Sequence, residues 1–96
     1  MQGPTEEQLA KIKDWPVNDL CGLMDYIEPL WEYSDCGYWE HQYHDDGHEE
    51  YHIHTAGWSD NEQIIRCMEA NFIWWAMYWY QSTRGGHYIF KTMVLK

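Results

Sequence analysis

Ile64, Ile65, Met68, Phe72, Trp75, Ala76 and Trp79 recur at helical intervals, and this apolar stripe constrains the fold more than any other feature of the chain. Side chains at that spacing line one side of an α-helix. Ser59 followed three residues later by Glu62 has the form of a capping box, in which a hydroxyl and a carboxylate satisfy the first free N–H groups of a helix. Together the two signals predict one long amphipathic helix over residues 60–81, stopped by Ser82-Thr83-Arg84-Gly85-Gly86, where a glycine can adopt the left-handed conformation. A helix of about 22 residues is about 33 Å long. In a chain of 96 residues everything else must be arranged around it, as a single domain, 1–96.

A second capping pattern, Thr5-Glu6-Glu7-Gln8, opens a short helix that reaches about Lys13 and ends before Trp15-Pro16. From Pro16 or Asn18 the positions Leu20, Leu23, Met24, Ile27 and Trp31 mark another helix, disturbed near Pro29. After Ser34 the period changes. Residues 36–44 are rich in aromatics, and 49–55 alternate so that Tyr51, Ile53 and Thr55 point one way and Glu50, His52 and His54 the other. This predicts a β-hairpin with its tip at 45–48, and 88–95 reads as a final strand. The fold class expected is α+β: two N-terminal helices, a hairpin, a long helix and a last strand (ααββαβ), giving a three-stranded sheet with helices packed on it. A parallel, right-handed crossover from the second strand to the last would put Arg84, Gly86 and His87 at the same end of the sheet as the hairpin tip.

Charge narrows the function. Lys and Arg number 6 against 16 Asp and Glu, a formal charge of −10, and no Lys or Arg falls between Lys13 and Arg66. A phosphate backbone is not a direct partner for such a chain. Asp25, Glu28 and Glu32 on the outer faces of the second helix are candidates for contact with a cationic protein surface. Trp74, Trp75, Tyr78, Trp79 and Tyr80 cover so much of the long helix that some must meet the first two helices or form an exposed aromatic patch. Trp74 is the candidate for that patch, which would suit a partner or a second copy of the chain. The sequence predicts neither a membrane span nor a secretory leader, and a cytoplasmic protein is expected. Cys21, Cys36 and Cys67 are widely spaced without CxxC, and are expected to be reduced thiols.

His48-Glu49-Glu50-Tyr51-His52 matches HExxH, the zinc-protease motif, yet the segment alternates as a strand, where residues four apart are separated by about 13 Å, too far for one ion. His52-x-His54 could chelate on one strand face, and His44, Asp45, Asp46, His48 and His87 could gather at one sheet end, but no Cys lies at ligand spacing. No metal or cofactor is expected. No nucleophile has an evident base and orienting acid, so catalysis is not expected either.

Two polar segments bracket the long helix. Trp58, Ser59, Asn61 and Glu62 offer a stacking ring and polar groups at a helix start; Arg84, Gly85, Gly86 and His87 offer a cation beside accessible backbone. At opposite ends of a 33 Å helix they could share a small ligand only across a homodimer, where the length is about that of 22 residues.

The pattern His54-Thr55-Ala56-Gly57-Trp58-Ser59-x-Asn61-Glu62, an aromatic helix, then Ser82-x-Arg84-Gly85-Gly86-His87-Tyr88-x-Phe90 resembles a family of small phage and prophage proteins, over residues 54–90. The resemblance implies a bacteriophage accessory protein acting in the host cytoplasm, without a catalytic assignment. It frames two expectations: an acidic inhibitor of a host defence complex that handles nucleic acid, of the anti-CRISPR type, or a sponge for the nucleotide signals of bacterial immunity.

Overall fold

The computed structural model describes residues 4–32, 38–45 and 47–92. Cys36, Asp46 and the expected end of the last strand, 93–95, lie outside the described residues.

Helix α1 (Glu6–Lys13) begins as its sequence requires: Gln8 N donates to Thr5 Oγ1 at 3.1 Å and Thr5 N to Gln8 Oε1 at 2.9 Å. Leu9 and Ile12 carry its buried side. Helix α2 (Leu20–Ile27) starts two residues later than Asn18, because Asp19 is the cap, accepting Gly22 N at 2.9 Å. Leu20, Leu23, Met24 and Ile27 are buried. Pro29 then tightens the chain into a 3₁₀ turn (Glu28–Leu30), and Trp31 beyond it donates its indole N–H to His54 O at 3.0 Å.

Strands β1 (Trp39–Tyr43) and β2 (Glu49–His54) form the expected hairpin, with Trp39 opposite Ile53 and Tyr43 opposite Glu49. The long helix is not continuous. Helix α3 (Ser59–Ala70) and helix α4 (Phe72–Tyr78) are separated at Asn71, whose ψ of 69° leaves the helical region. The buried Asn71 amide donates to Ile12 O at 3.2 Å and Trp15 O at 3.0 Å, so it binds the carbonyls at the C-terminal end of α1. Beyond the break the buried side steps back by one residue, from the expected Phe72, Trp75 and Trp79 to Asn71, Trp74 and Tyr78.

Residues 79–81, expected as helix, instead open strand β3 (Trp79–Thr83), which turns through Arg84-Gly85-Gly86 into β4 (His87–Lys91). Two aromatics followed by Gln, Ser and Thr suit an edge strand as well as a helix, and pairing with β4 decides between them. The sheet has four strands rather than three, in the order β1-β2-β4-β3, with every described pair antiparallel. Thus no parallel crossover joins β2 to β4. His54 faces His87 across them, so Arg84, Gly86 and His87 sit at the end of β2 away from the hairpin tip.

Trp39, Tyr51, Ile53 and Phe90 share the inner face of the sheet and one core with residues of all four helices. The opposite face carries Glu40, Gln42, Glu50, His52, His54, His87, Ile89 and Lys91. No helix of the described residues is long and apolar enough to cross a membrane.

Candidate functional site

The outer sheet face gathers five of the six histidines of the chain. At the hairpin tip Gly47 N donates to His44 O at 2.9 Å and His44 N to His48 O at 3.1 Å, with Gly47 at φ 92°. This short loop sets His44 and His48 opposite each other, and their rings stack at 4.0 Å with 9° between planes. Glu50, two residues along, places Oε1 at 3.2 Å from His44 Nε2 and 3.7 Å from His48 Nε2. Its Oε2 is hydrogen-bonded to His52 Nε2 at 2.6 Å. That bond, against the opposing effect of burial and with help from the charges of His52, His44 and Lys91, holds the Glu50 carboxyl below its usual range.

The row continues along β2. His52 and His87 lie 5.6 Å apart, and His87 stacks on His54 at 4.1 Å and 11°. Burial first, then the neighbouring His54 and His52, lowers the His87 pKa; Glu40 opposes them. The sixth histidine, His41, is on the inner face, stacked on Tyr51 at 4.0 Å and 2.9 Å from Glu49 Oε1. Glu49 also accepts the Cys21 S–H at 2.8 Å; burial and this carboxylate push the Cys21 thiol up to about 11. Burial raises Cys67 as well. Neither is an activated thiolate at neutral pH.

The second polar segment meets Thr55, just ahead of the first, within one subunit. Because the chain breaks at Asn71 and returns along β3, Thr55 N donates to Gly86 O at 2.9 Å, beside the His54–His87 pair. A homodimer is therefore not needed to bring them together. Several of their residues serve the fold. Asn61 is fully buried: its Oδ1 accepts Glu32 N at 2.8 Å, and its Nδ2 donates to Thr55 O at 3.3 Å and Glu32 O at 3.4 Å. Gly86, at φ 85°, lies so close to Thr55 that a Cβ would collide with Oγ1. Ser59 is the first residue of α3 rather than its cap; Trp58 holds that position without a side-chain hydrogen bond to the helix. Trp58, Ser59, Glu62, Arg84 and Gly85 are exposed, and His87 is partly buried.

Of the candidates for partner contact, Asp25 and Glu28 are exposed and Glu32 is half-buried beside Asn61. Trp74 is not a surface residue. It is 0% exposed, donates its indole N–H to Asp19 O at 3.2 Å and packs on Tyr78 and Phe90, since the break at Asn71 turns it toward the core. On α4 and β3 the exposed large apolar residues are instead Phe72 (72% exposed), Ile73, Met77, Trp79 and Tyr80 (54%). Met77, Trp79 and Tyr80, with His48, Lys91 and Thr92, border an open groove of about 420 Å³. Periodicity in the sequence did not find this strip, because it assumed an uninterrupted helix.

Comparison with known families, characterised proteins and solved structures finds no match to this chain.

Proposed function

We propose that this domain is a non-enzymatic binding protein that covers a cationic surface on a host assembly. The observation that carries the reading is the exposed strip of Phe72, Ile73, Met77, Trp79 and Tyr80 on α4 and β3. Such a strip, on a chain with a formal charge of −10, supports association with a protein of opposite sign. Exposed Asp14 lies on the α1–α2 connection, which packs against the buried side of α4 through the bonds from Asn71 to Trp15 O and from Trp74 to Asp19 O. Asp25 and Glu28 extend the field along α2. In its specific form the domain is a phage inhibitor that occupies the nucleic-acid-binding surface of a defence complex, where acids and aromatic rings replace phosphates and bases.

Surface-plasmon measurements against a purified nucleic-acid-handling effector complex test this. Tyr80→Ala with Phe72→Ala should raise the off-rate, and Asp25→Lys with Glu28→Lys should lower the on-rate and its salt dependence. Binding that ignores both pairs of substitutions, or that leaves nucleic-acid loading of the complex unaffected, rejects the reading. A second reading, a nucleotide sponge, draws support from the contact of Thr55 with Gly86, which ties the chain just ahead of Trp58 to the turn that carries Arg84 in one subunit, although Asn61 is committed to the fold. Thermal stabilisation by a cyclic nucleotide that disappears in Arg84→Ala would favour it.

A further inference from the structure

The tip of the β1–β2 hairpin brings together three groups of metal-ligand chemistry. The ligand atoms of His44, His48 and Glu50 all lie within 4.8 Å of one another. Two ligands bonded to Zn²⁺ at about 2.0 to 2.1 Å in a tetrahedron are separated by roughly 3.4 Å. The distances from Glu50 Oε1 to the two histidine Nε2 atoms, 3.2 and 3.7 Å, bracket that value. His44 Nε2 is buried and, despite its nearness to Glu50, makes no hydrogen bond with a described residue. A lone pair there has a use if an ion sits between the three groups, which requires the two imidazoles, stacked at 4.0 Å with 9° between planes, to turn until both lone pairs converge on it. The other Glu50 oxygen orients the carboxylate by its 2.6 Å bond to His52, the kind of outer partner that fixes a metal ligand.

We propose that His44, His48 and Glu50 form a binding site for a divalent first-row transition ion, Zn²⁺ in the first instance. Two imidazoles and one carboxylate suit Zn²⁺ and its neighbours and disfavour Ca²⁺ and Mg²⁺, which take oxygen ligands. Three protein ligands leave one tetrahedral position for water or for a donor from outside. His48 also borders the groove beneath Tyr80 and Lys91, so that donor could come from whatever occupies the groove. The HExxH spelling concealed this set: the ion takes His48 with His44 across the turn, not with His52 along the strand. The inference departs from the sequence expectation of no metal and does not depend on the partner proposed above.

The test is calorimetric titration of chelator-treated protein with ZnCl₂, repeated with Co²⁺ for its absorption spectrum. One Zn²⁺ per chain is expected, with micromolar or tighter affinity and a tetrahedral Co²⁺ band. His44→Ala, His48→Ala and Glu50→Gln should each weaken binding by at least tenfold. His52→Ala should weaken it by about tenfold through the lost outer bond. His54→Ala, on the same face but away from the tip, should change it less than twofold. His44→Phe keeps a ring stacked on His48 while removing the ligand, so a loss of binding with unchanged circular dichroism separates coordination from folding. Absence of binding below about 1 mM, or binding that survives both His44→Phe and Glu50→Gln, overturns the proposal.

Discussion

Replacing Asn71 with Ala separates two accounts of the segment 59–78 by the sign of the effect. If α3 and α4 were one helix, Ala would be the better residue at position 71, by up to about 0.7 kcal/mol. In the structure the Asn71 amide makes two hydrogen bonds, to Ile12 O and Trp15 O, in a site only 8% exposed. At about 1 kcal/mol net for each, the substitution should cost roughly 2 kcal/mol. For a domain of this size that corresponds to a fall of about 8 to 16 °C in melting temperature, at about 4 to 8 °C per kcal/mol. Thermal unfolding followed by circular dichroism at 222 nm, with a urea titration for the free energy, measures it. The urea m-value should stay constant, since the same surface is exposed on unfolding. An unchanged or higher melting temperature, with added helical signal, would refute both the break and the role given to Asn71.

Ser59→Ala should shift stability by less than about 0.5 kcal/mol, because its hydroxyl does not cap α3, whereas Thr5→Ala should cost about 0.5 to 2 kcal/mol in the same chemical denaturation. Gly86→Ala combines a left-handed φ with a collision on Thr55 and should cost at least about 1 to 2 kcal/mol, less in a Thr55→Ala background, which a double-mutant cycle would read. His87 faces His54 and His52 on β2 and is opposed by Glu40 on β1; its folded pKa is lowered. Between that value and the unfolded value of about 6.5 the unfolded chain binds more protons, so stability should fall as pH drops through this window. His87→Gln should flatten that part of a melting-temperature profile, and an unchanged slope would remove His87 as its source.

The helix start at Thr5, the α2 stripe, the hairpin and the inward direction of Tyr51 and Ile53 were legible because each depends on neighbours in the chain: a cap three residues away, a 3.6-residue period, a two-residue alternation. The break at Asn71 was not. It arises from carbonyls at Ile12 and Trp15, more than fifty positions earlier, and no local pattern announces them. One missed break then propagated: it hid β3, buried Trp74, exposed Phe72, and separated two segments that the folded chain joins at Thr55 and Gly86. At the candidate metal site the residue types were visible from the outset. Gathering His44 and His48 at the tip was legible, but joining Glu50 to them and placing His87 at the far end of β2 required the strand register, which motif spelling does not encode.

The irregular register between Trp79 and Gln81 bears on how the molecule behaves in a crowd. Strand β3 is the outermost strand of the sheet on its side and all five of its residues are exposed, a template on which further strands could add. A local slip in the ladder twists such a border and breaks the even spacing of its free N–H and C=O groups. An incoming strand would find only the short stretch at 81–83 in step with β4. The aromatic rings at positions 79 and 80 can thus remain at the surface for recognition, while the irregular backbone beneath them opposes stacking into fibrils.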